Sequence, residues 1–381
     1  MSGEVSPESI ARAIDFCVRA RPGEPALERG QHLSDELARR AAEDAAALNR
    51  DRHVLVIGGA GYVGSVLVRE LLQRGYRVRV LDRLIYRNER SVEGLVGEPG
   101  FSFMAGDFGD PATIDRAIGG DITDVALLAA LVGDPVSRKY PEITRQVNLE
   151  SAERLVRAMR GRHIHKFVFT STCSNYGRSQ SDDPLSEDAP LDPRSIYAET
   201  KVAFERFLLA HMADFDFGVT ILRIATAYGV SHRMRFDLTV AEFVRELALG
   251  RRLTVYDKGT WRPYCHVKDI SRAIIRVLEA PKGLVHREIF NVGDDRENFT
   301  KQMIVDLVAQ HIPVAVEYLS GDTDPRNYRV SFAKIRTRLD FEARHLMRDF
   351  VPALVEAVRN GLFRGEGVPP SYYGNYELRD M

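Results

Sequence analysis

The stretch that decides the fold reads His53-Val54-Leu55-Val56-Ile57-Gly58-Gly59-Ala60-Gly61-Tyr62-Val63-Gly64. Its first five residues predict a short apolar strand, and the spacing across 62–73 predicts a helix directly after the glycines. Two registers fit the glycines: Gly59, Gly61 and Gly64 satisfy G-x-G-x-x-G, while Gly58, Gly61 and Gly64 satisfy G-x-x-G-x-x-G. In either register, residues without side chains permit a tight turn and bring backbone N–H groups close to a pyrophosphate. The phosphates would lie at the N-terminus of the following helix, beside Tyr62 and Val63. A second strand, 77–81, leads into Asp82, 24 residues after Gly58. A carboxylate there can accept ribose hydroxyl hydrogens, which favours NAD over a 2′-phosphorylated cofactor. The adjacent Arg83 is the one feature suited to that extra phosphate, so NADP is the less favoured choice.

Working outward, strands and helices keep alternating. A helix is expected at 114–118, a strand at 125–129, a long helix at 142–159, and a strand at 166–170. A helix at 195–212 and a strand at 219–224 follow. This alternation predicts an α/β fold, a doubly wound parallel Rossmann-type sheet with helices on both faces. After Tyr228 the rhythm becomes mixed, with helices near 239–249, 270–279 and 300–310 and a strand at Leu253–Tyr256. Residues 51–230 are therefore expected to form the dinucleotide-binding domain. Residues 231–381 are expected to form a smaller, mixed, mainly substrate-binding part interleaved with it. Ahead of both, residues 1–50 carry two helical stretches around Arg21-Pro22-Gly23-Glu24-Pro25 and are expected to form a helical extension.

Tyr197 and Lys201 stand four apart on a predicted helix and so share a face. A lysine ammonium near a phenol favours the phenolate, which can take a proton from an alcohol as hydride leaves the same carbon. The lysine can also reach a cofactor ribose. Spacing alone is weak evidence, because Tyr264 and Lys268 repeat it within an expected irregular connection. Thr172 separates the two pairs. It falls just beyond the strand at 166–170, at the carboxyl edge of the sheet where open α/β folds bind ligands.

The formal net charge of -1 gives no electrostatic reason to expect nucleic acid or an anionic membrane as partner. Three cysteines, Cys17, Cys173 and Cys265, are too few and too scattered for a disulfide framework or a metal site. No apolar run is long enough to span a bilayer, and no secretory apolar stretch opens the chain. The expectation is a cytoplasmic protein.

Together these residues resemble the extended short-chain dehydrogenase/reductases, the NAD-dependent epimerase/dehydratase group that acts on nucleotide sugars. The resemblance is carried by Gly58 to Gly64, Asp82, Gly106-Asp107, Leu128-Ala129-Ala130, Asn148, and Ser171-Thr172-Cys173-Ser174-Asn175-Tyr176-Gly177. It continues through Tyr197 with Lys201, Arg223 to Gly229, Arg262 to Asp269 and Phe290-Asn291-Val292-Gly293. It implies that Asp107 and Phe108 flank the adenine, and that Ala129, Ala130, Leu131 and Ala225 also line the NAD site. It implies Thr172, Tyr197 and Lys201 as the catalytic trio. For the substrate, a nucleotide-diphosphate sugar, it implies Arg262 and Arg326 at the diphosphate. Val132, Asp134, Thr172, Cys173, Ser174 and Thr226 would lie near the sugar, and the loop 234–239 near the nucleotide. A homodimer through the helices at 142–159 and 195–212 is implied as well.

Departures from the family pattern narrow the reaction. Family 4,6-dehydratases carry an acid and a glutamate base directly after the catalytic threonine, where this chain has Cys173 and Ser174. A serine hydroxyl is too weak a base to remove a C5 proton unaided. The leading expectation is an epimerase that oxidises a sugar hydroxyl, with C4 the leading position, and returns the hydride. A dehydratase, an uronic acid decarboxylase and a net dehydrogenase or ketoreductase share its first step and stay open. A non-sugar carbonyl reductase and a non-catalytic NAD-binding sensor are the more distant alternatives.

Overall fold

The structure, a computed structural model, describes residues 47, 49–179, 183–321, 325–363, 373–375 and 378. The expected helices before residue 47, and Cys17, lie outside these. The main sheet has seven strands. Six are β1 (His53–Ile57), β2 (Arg77–Asp82), β3 (Phe101–Ala105), β4 (Asp124–Leu127), β5 (Lys166–Thr172) and β6 (Gly218–Ile224). Three short strands follow: β7 (Thr226–Tyr228), β8 (Leu253–Tyr256) and β9 (Trp261–His266). The seventh main strand is β10 (Glu288–Val292), and β11 (Asn298–Thr300) and β12 (Val316–Leu319) complete the set. The main sheet runs β10-β6-β5-β4-β1-β2-β3, with every pairing parallel. This is the doubly wound order, reversing between β1 and β4, with β10 added beyond β6.

Strand alternation sends side chains to two separate cores. Val54, Val56, Val78 and Val80 pack beneath α1 (Gly64–Gln73), which contributes Leu67, Val68 and Leu71. Leu55, Ile57, Val125, Phe167 and Phe169 face the other way, against Leu155, Phe204 and Leu208. Phe204 and Leu208 belong to α2 (Ile196–His211), whose first turn is capped by the Ser195 hydroxyl accepting from the Ala198 N–H. A third core gathers α3 (Thr239–Ala248), Ile304, Val305 and Val308, and α5 (Met347–Arg359). The intervening α4 (Val267–Glu279) and β10 return the chain to the main sheet.

Two expectations need correction. The long helix at 142–159 is helical throughout, but residues Gln146–Ser151 widen into a π-helix between α-helical flanks. The extra residue in that turn delivers Asn148, whose amide bonds both the N–H and the C=O of Leu131 at 2.8 and 3.1 Å. The connection around Tyr264 is not irregular. It is β9, parallel to β7 and antiparallel to β11.

Candidate functional site

One large cavity, about 460 Å³, opens along the carboxyl edge of the main sheet and under the second lobe. Gly58, Gly61 and Gly64 line it, and Gly59 does not, so the register that faces the cavity is the G-x-x-G-x-x-G one. Gly58 has φ +88°, and a Cβ there would lie 2.6 Å from the Ala129 nitrogen. A Cβ on Gly64 would meet the Gly58 carbonyl oxygen at 2.1 Å. The cradle is therefore closed to any side chain and presents bare backbone at the start of α1, which suits a diphosphate. Asn88 and Ser91 brace it from outside, each donating to the Ala60 carbonyl at 2.8 Å.

Asp82 ends β2 at the cavity wall. Its two oxygens accept from the N–H groups of Ala60 and Leu84 at 3.0 and 2.9 Å, which fixes the carboxylate beside the cradle. Arg83 is held by Asp107 at 2.9 Å, an arrangement that commits the guanidinium to a carboxylate. Tyr62, Val63, Phe108, Ala129, Ala130, Leu131 and Ala225 line the same cavity. A glycine cradle, a ribose-facing acid and an engaged Arg83 fit NAD.

Thr172, Tyr197 and Lys201 converge further along it. Thr172 is the last residue of β5 rather than one beyond it, and its hydroxyl is close enough to the Tyr197 phenol to favour the phenolate. The Lys201 ammonium is 2% exposed, donates to the Thr170 carbonyl at 2.8 Å, and lies 5.9 Å from the centre of the Tyr197 ring. Burial decides both titrations. It raises the phenol to about 12 and lowers the ammonium to about 7. The expectation of a lysine-depressed phenol is thus reversed, because loss of hydration dominates and the largest opposing influence is the Thr172 hydroxyl rather than Lys201. Glu205, one turn beyond Lys201, supports the charged lysine and anchors the end of β5. It is buried, pairs with Arg223 at 2.8 Å, and accepts from Ser171 and Asn175.

Arg262 and Arg326 line the same cavity. Arg262 is buried on β9, donates to the Trp261 carbonyl at 2.6 Å and packs over the Tyr328 ring. Arg326 pairs with Asp134 at 3.1 Å, so two residues expected to serve the substrate hold each other in the free protein. Val132, Ser174 and Thr226 also line the wall, and Ser174 is hydrogen-bonded to Tyr328. Cys173 does not belong. It is 1% exposed, its thiol is directed at the Arg223 carbonyl at 3.2 Å, and burial pushes its pKa up. The 3-10 turn Cys173–Tyr176 rotates it into the core while leaving Thr172 and Ser174 at the cavity.

Sequence reasoning missed several lining residues: Tyr86, Asn88, Arg233, Tyr264, Lys301 and Asn375. Tyr264 enters from β9, whereas Lys268 is exposed at the start of α4, so that pair shares no helix face. Lys301 opens the helix Lys301–Ala309, and the other four stand on connections without periodicity, where nothing local marks them. Among the described residues no group of three or more His, Cys, Asp or Glu is placed to hold a metal ion. No described helix is long and apolar enough to cross a membrane.

A glycine cradle on β1, an acid ending β2 and a Thr-Tyr-Lys set on β5 and α2 define a dinucleotide-dependent enzyme of the short-chain dehydrogenase type. Residues 54–293 match the NAD dependent epimerase/dehydratase family, and the chain belongs to that family. It is 29% identical over 309 residues to a UDP-glucose 4-epimerase of Corynebacterium glutamicum, covering 77% of this chain and 91% of that protein. It is 26% identical over 365 residues to UDP-glucuronic acid decarboxylase 1 of Arabidopsis thaliana, covering 93% and 80%. Among solved structures, the UDP-glucose 4-epimerase of Thermus thermophilus, in complex with NAD, superposes with a TM-score of 0.71 at 28% identity. That match covers 81% of this chain and 99% of the other.

Proposed function

We propose that this protein is an NAD-dependent nucleotide-diphosphate-sugar epimerase that oxidises a sugar hydroxyl, at C4, and returns the hydride to the opposite face. The observation that carries the reading is one cavity lined together by the glycine cradle and Asp82, by Thr172, Tyr197 and Lys201, and by Arg262 and Arg326. Guanidinium forks suit the diphosphate of the substrate. They leave the hexose near Thr172 and Tyr197, within reach of Asp134.

When bound, NAD supplies the hydride acceptor and a positive ring charge. The remaining chemistry falls to the chain. Tyr197 begins protonated, since burial holds its pKa at about 12. Positive charge brought into the cavity favours its phenolate, and Lys201 adds to this whenever it is protonated. The phenolate then takes the sugar hydroxyl proton, with the Thr172 hydroxyl sharing it, and gives it back when the hydride returns. Net epimerisation consumes no cofactor. Cys173 is turned into the core and Ser174 is engaged by Tyr328, so neither position offers a base for the C5 proton. That favours epimerisation over 4,6-dehydration. Assembly as a homodimer through α2 and the helical stretch before it is part of the same reading, and light scattering checks it.

The test is mass spectrometry of products from UDP-, dTDP-, GDP- and CDP-hexoses and hexuronates in deuterated water. Isobaric, unlabelled 4-epimers support the proposal. Carbon-bound deuterium, or loss of water or carbon dioxide, replaces it with enolisation, dehydration or decarboxylation.

A further inference from the structure

We infer that Arg233 is a second binding element for the diphosphate of the dinucleotide cofactor, presented by the second lobe opposite the glycine cradle. The inference rests on NAD as cofactor and not on the sugar reaction, so its failure leaves the proposed epimerase untouched.

The turn that carries Arg233 is fastened to the N-terminal end of α1 by three hydrogen bonds. Tyr62 Oη donates to the Gly229 carbonyl at 2.6 Å, and Ser231 Oγ donates to the Tyr62 carbonyl at 2.6 Å. The Ser231 and Ser65 hydroxyls meet at 3.0 Å. Two residues further on, Arg233 lines the cavity while only 3% exposed. Its guanidinium lies 4.8 Å above the Tyr86 ring, just downstream of Asp82 on the cofactor side. Neither its Nε–H nor the Tyr86 hydroxyl, both buried, has a hydrogen-bond partner.

Charge accounting points the same way. The neighbouring Arg235 is neutralised by Asp237 through two bonds of 2.9 and 2.6 Å. Arg233 has no hydrogen-bonded carboxylate among the described residues, and Asp237 and Asp82 act on it only through longer-range attraction; its guanidinium makes a long hydrogen bond, 3.4 Å, to the Gly374 carbonyl. Burial and the adjacent Arg235 lower its pKa to about 10, so it remains a cation at neutral pH. A buried cation with no directly paired carboxylate and an unused donor costs stability unless an anion arrives. A diphosphate seated on the start of α1 provides that anion, and the tether through Ser231 holds the arginine at that end of the cavity.

The experiment compares wild type, Arg233→Met and Arg233→Lys as full-length protein by calorimetry with ADP-ribose and with UDP, and by urea unfolding without ligand. For Arg233→Met, ADP-ribose affinity should fall about 10- to 100-fold while UDP affinity stays within about twofold. The unfolding midpoint of the free variant should match or exceed wild type, because a buried charge without a paired carboxylate has been removed. Arg233→Lys keeps the charge but lacks the Nε–H and should also lose ADP-ribose affinity, by less. Wild-type ADP-ribose affinity in either folded variant overturns the inference. Weakening of UDP instead assigns the arginine to the nucleotide sugar and overturns it too. A lower unfolding midpoint with unchanged ADP-ribose binding makes it a packing residue and does the same.

Discussion

Replacing Lys201 by methionine should stabilise the free protein while abolishing turnover, and the gain should depend on pH in a calculable way. The ammonium is 2% exposed and its pKa falls from 10.5 to about 7 on folding. Between those values the unfolded chain holds a proton that the folded chain does not, so this group makes folding less favourable as pH drops from 10.5 toward 7. Below about 7 the full penalty applies. Each pH unit in the window is worth about 1.4 kcal/mol, so the penalty at about pH 6 exceeds that at about pH 9 by about 2–3 kcal/mol. Methionine removes the penalty and leaves the Thr170 carbonyl without its donor, at a cost of about 1–2 kcal/mol that is the same at both pH values. Urea unfolding followed through the single tryptophan, Trp261, gives the difference directly. Lys201→Met should gain about 2–3 kcal/mol more over wild type at about pH 6 than at about pH 9. A stability difference that is identical at the two pH values would refute the burial argument.

Other perturbations follow from the same geometry. Gly64→Ala drives a Cβ to 2.1 Å from the Gly58 carbonyl oxygen, so the cradle must open; NAD affinity by fluorescence titration should fall at least about tenfold. Arg262→Met should weaken UDP about 10- to 100-fold in calorimetry and leave NAD binding intact, the opposite selectivity to Arg233→Met. Glu205→Ala strands the buried Arg223, 3% exposed, and should cost about 3–5 kcal/mol in urea unfolding.

The sequence made the dinucleotide half of the fold legible because its strands are short apolar runs that alternate with amphipathic helices, and the glycines and Asp82 fall at fixed places on that frame. Thr172 and Tyr197 were singled out the same way, by position at a strand end and on a helix face, and both line the cavity. Asp134, Thr226, Arg262 and Arg326 on the polar wall came from motif position, but the rest of that wall did not. Arg233 and Asn375 act through long-range packing of aperiodic segments, and the Asn375 N–H reaches Asp237 across 138 residues. Strands β7, β9 and β11 are three to six residues long and derive their order from one another, so periodicity had little to register. Cys173 was misplaced because motif position reveals neighbours along the chain and not the rotation imposed by a 3-10 turn. The Tyr197 phenol was expected to be depressed because spacing reports the lysine, whereas only the packed structure reports the lost water.

In the proposed reaction the Tyr197 phenol moves the proton that accompanies hydride transfer from a nucleotide sugar. Single-turnover mixing of the NAD-loaded protein with its nucleotide hexose, followed by reduced-nicotinamide absorbance, examines this step in wild type and Tyr197→Phe. Wild type should show reduction, and the variant a rate about 100- to 10,000-fold lower, with unchanged Kd for NAD and for the sugar nucleotide. Reduction by Tyr197→Phe at the wild-type rate would take the proton transfer away from this residue.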